Sequence, residues 1–263
     1  MKNLFQKTLF DHKKGLMFWV LGILASDLII TSFFPTVKKM PELMNEYVES
    51  FPKEISVWFG DLSSIGTPEG FLNVELFSFM FPFAFIAYAI TVGTNIIAGE
   101  EKNKTIDILI SNPIKRSTLI IQKFLAMATL ITIFCFIAWF GFVLVTPIMK
   151  VNLFNLAQMC INLALIAIFF GSISILTGSI TGKTGISTGL SGGLAFITFL
   201  INGLAKLSSD FESIKYISPF FYYSDSNALF NGINIMHFLI LISSIALIIY
   251  LSIYFYKDRD LGV

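Results

Sequence analysis

Six stretches of this chain are apolar for long enough to cross a bilayer: Leu16–Phe34, Leu76–Ala98, Leu119–Thr146, Phe154–Ile180, Ile186–Leu204 and Met236–Tyr256. A membrane-crossing helix needs roughly 20 apolar residues. Inside hydrocarbon no water is present to bond the backbone, so each run must satisfy its own amides as a helix. The sequence therefore predicts an all-α integral membrane protein of six spans, a single transmembrane domain over residues 1–263. Composition agrees, because only 13% of residues are charged, against about a quarter in soluble domains. The net charge of +1 offers no basic surface for nucleic acid. The first run follows Lys13 and Lys14, as a signal peptide would. Its apolar part is too long, and Ile23 stands where a small residue should precede a cut after Ala25, so it reads as an uncleaved span.

Lysine and arginine set the orientation. With the N-terminus inside, the outer side holds Lys38, Lys39, Lys53, Lys150, Lys206 and Lys215, and the other twelve of the 18 basic residues lie inside. Both termini are thus expected in the cytoplasm, with the chain in the plasma membrane. Residues 1–14 place Met1, Leu4, Phe5, Thr8, Leu9 and His12 on one helical face, with Lys2, Gln6, Lys13 and Lys14 opposite; Phe10 breaks the pattern. That pattern fits a helix lying in the inner interface with its lysines near anionic lipid headgroups, although a charged flank of span one would also produce it.

Two outer segments are expected, 35–75 and 205–235. In the first, Leu43, Met44, Tyr47, Val48 and Phe51 recur at helical spacing, followed by Ile55, Trp58 and Phe59, as in one or two short helices resting on the outer leaflet. In the second, Pro219, Phe220, Phe221, Tyr222 and Tyr223 have the character of interfacial anchors. Glycines at 171, 178, 182, 185, 189, 192 and 193 make spans four and five a closely packed hairpin. Contact within the subunit or with a second copy would account for them equally.

Few residues carry chemistry. Gly178–Thr184 has three residues between its glycines where a phosphate-binding loop has four, and it joins two spans instead of a strand and a helix. If ATP is used, another protein binds it. Gly189-Leu190-Ser191-Gly192 with His237 resembles the nucleophile motif of rhomboid-like intramembrane proteases. Ser191, however, lies roughly 20 Å below the outer end of its span, whereas His237 is at the outer edge. The two are out of hydrogen-bond reach. No His/Cys/Asp/Glu spacing suits a metal, and Cys135 and Cys160 read as small apolar residues. Asp27 is the one carboxylate within the apolar core of a span, roughly 10 Å from its outer end. Gln158 and Asn162 on span four should reach similar depth and hydrogen-bond it, as a translocation or gate site or as a structural clamp.

The remaining feature is the polar stretch Gly99–Lys123 between spans two and three, on the side of greater positive charge. An acidic pair, a Thr, a Leu-rich turn, a Pro, an Arg and a Lys entering the next span fall on Glu100, Glu101, Thr105, Leu109, Pro113, Arg116 and Lys123. This order resembles the cytoplasmic loop of type-2 ABC exporter permeases. Ser218-Pro219-Phe220 before the last span and Lys257-Asp258-Arg259-Asp260-Leu261 at the end extend the resemblance over the whole chain. The glycine usual before the Thr is Lys104 here, which puts the local turn in question.

The resemblance implies that residues 99–118 form a coupling helix that docks a soluble ABC ATPase through Glu100, Glu101, Thr105, Leu109, Pro113 and Arg116. It implies ATP and Mg on that partner, no cofactor in this chain, and a second permease subunit as homo- or heterodimer. The cargo would be an amphipathic or hydrophobic molecule, an antimicrobial or toxin-like peptide before a drug or lipid. The alternative to an exporter subunit is a channel whose pore is the Gly/Ser/Thr-rich hairpin.

Overall fold

The computed structural model describes residues 4–105, 115–207, 209–257 and Arg259. Among these, all regular structure is helical. Six helices are long and apolar enough to cross a membrane: Leu4–Lys38, Met80–Lys102, Arg116–Val145, Leu153–Thr181, Thr184–Leu207 and Ile235–Lys257. They are called spans one to six, and the end carrying both chain termini is the inner end.

Span one differs from expectation in one respect. Its amphipathic beginning is not a separate element but the first three turns of an unbroken 35-residue helix. No proline occurs before Pro35, and the two glycines weaken a helix without ending it. At 1.5 Å per residue it is roughly 50 Å long, against about 30 Å of hydrocarbon, so it overhangs the bilayer. Of the residues on that face, Leu4 and Thr8 are buried and Phe5, Leu9 and His12 half-buried, and Met1 lies outside the described residues. The stripe continues through Ile23, Asp27, Thr31 and Phe34, and the helix packs mainly along span three.

Span four is the centre, with spans two, three, five and six all packed on it. Small residues allow this. A side-chain carbon on Gly171 would lie 2.8 Å from the Met127 sulfur and 3.2 Å from Ala89. Gly178 faces Ala98 and Ser187, which joins Thr94 and Thr177 in a chain of hydroxyl bonds linking spans two, four and five. The span-four half of the glycine run is therefore internal packing, whereas Gly185, Gly189, Gly192 and Gly193 on span five have open space before them.

The outer segments turn inward more than expected. Pro41–Ser50 is the predicted short helix. Beyond it Leu62, Ile65, Phe71 and Leu72 are buried, and the Trp58 indole sits on the bare Cα of Gly203. Phe220, Phe221 and Tyr223 are buried too, which corrects their reading as interfacial anchors. The short helix Pro219–Ser224, capped by Ser218, inserts among Phe83, Phe170 and Phe199, and the Tyr223 hydroxyl donates to the Phe77 carbonyl at 2.7 Å.

Candidate functional site

Span two does not reach its inner end as a plain α-helix. Asn95–Gly99 is a π-helical turn, which shifts the register of the residues after it, and Glu100–Lys102 completes the span. The helix stops at Lys104, whose φ of +55° lies in the left-handed region that glycine enters most readily. The family's glycine is thus replaced by a lysine without loss of a glycine-type turn. The Thr105 amide closes the turn on the Glu100 carbonyl at 3.0 Å, and its hydroxyl donates to the Glu100 carboxylate.

Lys123, two turns into span three, is 1% exposed. Its ammonium donates to the Ile96 carbonyl, within the π turn, at 2.5 Å and to the Glu100 carboxylate at 2.8 Å, where Glu100 is 17% exposed. Glu101, 14% exposed, pairs with Arg259 from the chain's C-terminal end. The same guanidinium donates to the carbonyls of Gly178 and Ser179 at 3.1 and 2.9 Å. These are final-turn carbonyls of span four, which carry the negative end of its dipole. Arg116, opening span three, does the same for span six, donating to the carbonyls of Tyr256, Lys257 and Arg259 at 3.1, 3.0 and 2.7 Å.

Glu100, Glu101, Thr105 and Arg116 therefore come together, with their polar atoms turned into the protein. They hold the inner ends of spans two, three, four and six against one another. Leu109 and Pro113 lie in 106–114, outside the described residues. Facing outward on either side of that segment are Lys102, Asn103, Lys104 and Lys115, a basic rim. Sequence reasoning noted Lys123 and Arg259 only as pattern matches and did not see them as the counterions. A lysine one turn inside an otherwise apolar run was the available signal, since a charge there demands a partner.

The proposed Asp27 partnership does not form. Asp27 is fully buried, yet neither carboxylate oxygen has a hydrogen-bond partner among the described residues, nor does the Thr31 hydroxyl one turn on. Gly141 of span three faces it, so close that a side-chain carbon there would lie 2.6 Å from Oδ2. Gln158 instead accepts from the Ile233 amide at 2.9 Å, and Asn162 reaches Ser226 at 3.5 Å. The reason is topological: span one packs on span three, while this face of span four is covered by residues 226–233. His237 sits with Phe221, Tyr222 and Asp225 and forms no dyad with Ser191. At the outer end, a cavity of about 340 Å³ is lined by Trp58, Phe77, Asn202, Lys206, Tyr223 and Asp225.

Six apolar helices, four of them packed on span four, with buried ion pairs at one end, define a multi-pass membrane protein. The chain belongs to the ABC-2 family of transporter proteins, whose profile matches residues 3–261. No curated protein matches it. Membership makes the chain the membrane permease component of a transporter, and it implies an ABC ATPase as partner.

Proposed function

We propose that the chain is the permease subunit of an ATP-driven exporter in the plasma membrane, both termini cytoplasmic. A separate soluble ATPase holds ATP and Mg, this chain carries neither an ATPase site nor a cofactor, and a second permease subunit completes the pathway. The whole of 1–263 acts as one permease domain. The observation that carries this reading is the inner cluster: both flanks of residues 106–114 are anchored by buried charge on the side richer in lysine. Residues 99–118 are the docking segment, with Lys102, Lys104 and Lys115 offering a basic rim to an acidic groove of the ATPase. Lys7, Lys13 and Lys14, exposed on span one beside Phe10, suit anionic headgroups at the inner surface.

The cargo is an amphipathic or hydrophobic molecule, with an antimicrobial or toxin-like peptide the leading class, then a drug or lipid. The aromatic walls of the outer cavity, with Lys206 and Asp225 at its edge, suit such mixed character. The test is co-purification of the ATPase with the triple variant Lys102→Glu, Lys104→Glu, Lys115→Glu, assayed also for ATP-dependent uptake into inverted vesicles. Three rim reversals should weaken the complex by about tenfold or more and abolish uptake. Undiminished complex and uptake would remove the docking assignment.

A further inference from the structure

The usual consequence of a docked loop is movement of the two spans it joins. Here both ends of the loop are bonded elsewhere as well. Glu101, at the end of span two, holds Arg259, which lies beyond span six and caps span four through Gly178 and Ser179. Arg116, at the start of span three, holds the end of span six and the Arg259 carbonyl itself, and so fixes the backbone that presents the Arg259 guanidinium. Gly182 completes the seat. It ends span four at φ +63°, and a side-chain carbon on it would meet both the Arg259 guanidinium and the Glu101 carboxylate.

We propose that Arg259 is a positioning residue for energy transmission, the strut through which displacement of the ATPase-docking segment reaches the inner end of span four. This rests on the docking reading. Because span four touches spans two, three, five and six, moving its inner end moves the four spans packed on it and not a single hairpin. One guanidinium suits the task. Its planar fork reaches a carboxylate and two carbonyls at once, which an ammonium on a flexible stem does with poorer geometry. The strut also has unused bonding capacity. Glu101 Oε1 and the Tyr256 hydroxyl are buried without a hydrogen-bond partner among the described residues. A shifted arrangement can take up those atoms, so the network can trade partners instead of breaking.

The experiment uses the full chain with its ATPase in nanodiscs. Spin labels are placed at Lys14→Cys on span one and Lys183→Cys at the turn after span four; both positions are exposed, and Cys135 and Cys160 are buried. Trapping with ATP and vanadate should shift the interlabel distance in the parent protein. In Arg259→Ala the ATPase should still co-purify and hydrolyse ATP, while the shift falls at least threefold. Arg259→Lys, which keeps the charge toward Glu101, should retain an intermediate shift and serves if the alanine variant does not fold. An unaltered shift in both variants, or none in the parent while the ATPase is bound, would overturn the strut. Failure of the ATPase to bind the parent would instead overturn the docking reading beneath it.

Discussion

The Glu100–Lys123 pair offers the sharpest test of how the inner end is held, because its two partners differ in burial. Replacing Glu100 by Leu leaves the Lys123 ammonium, 1% exposed, with the Ile96 carbonyl as its one hydrogen-bond partner among the described residues. Removing one member of a buried pair typically costs 3–5 kcal/mol, chiefly for the stranded charge. Glu100 keeps 17% exposure and the Thr105 hydroxyl, so part of that penalty is already screened, and about 3 kcal/mol is expected. Replacing Lys123 by Met strands a carboxylate that still has Thr105 and water. The main loss is then the Ile96 carbonyl's donor, at about 1–2 kcal/mol.

The double variant strands no charge and should resemble Lys123→Met alone. The second substitution is therefore expected to restore about 1–2 kcal/mol to Glu100→Leu, a large negative departure from additivity. For a chain of this size that separates Glu100→Leu from the double variant by roughly 2–8 °C in Tm. Thermal unfolding of the four proteins in one detergent reads this directly. Additive losses, or Lys123→Met less stable than Glu100→Leu, would refute the assignment of the pair as a buried, charge-compensated clamp.

Lys104 holds a left-handed turn that costs a non-glycine residue about 1–2 kcal/mol. Lys104→Gly should therefore leave Tm unchanged or slightly raised and Lys104→Val should lower it; a clear loss with glycine would contradict the turn. Gly141→Ala should cost about 1–3 kcal/mol by pressing on Asp27 and Leu24, and the loss should shrink in a Gly141→Ala, Asp27→Ala protein. Asp27→Leu, which removes a buried carboxyl without a hydrogen-bond partner among the described residues, should hold or raise Tm. A marked fall would mean that a partner exists, and lost transport at undiminished Tm would assign the carboxyl a part in moving cargo.

The spans were legible because hydrocarbon imposes a length and a composition, and neither depends on which helix touches which. All six appear, five of them with ends displaced by a few residues, while span one begins at Leu4 instead of Leu16. The pairing of helices was less legible. Asp27 was matched with Gln158 and Asn162 by depth alone, and depth says nothing of azimuth; the contacts of spans one and four are set by packing that apolar runs do not encode. The aromatic cluster at 219–223 failed for a related reason. Tyr and Phe suit an interface and a core equally, and only the cleft among spans two, four and five decides. The inner charges were found by pattern, but their direction was not. A carboxylate at a helix end can face a partner protein or a neighbouring helix. The choice lay with Lys123 and Arg259, the latter 158 residues along the chain from Glu101.

The two ends of the bundle are held by different forces, and the difference has a mechanical meaning. At the outer end, Phe83, Phe199 and Phe220 pack edge-on and stacked, apolar contacts that no donor angle fixes. At the inner end, guanidinium and ammonium groups bond to fixed carbonyls and carboxylates, which weaken steeply when the donor angle departs from linearity. Movement of the inner ends is thus transmitted in direction, while the outer ends can yield to it. Span four, closely packed along its length by Gly171 and Gly178, connects the two. A substitution that loosens the outer aromatic cluster should then lower Tm while leaving ATP-driven motion at Lys183 intact. One that removes Arg259 should suppress that motion, and it should lower Tm as well because Glu101, 14% exposed, loses its counterion.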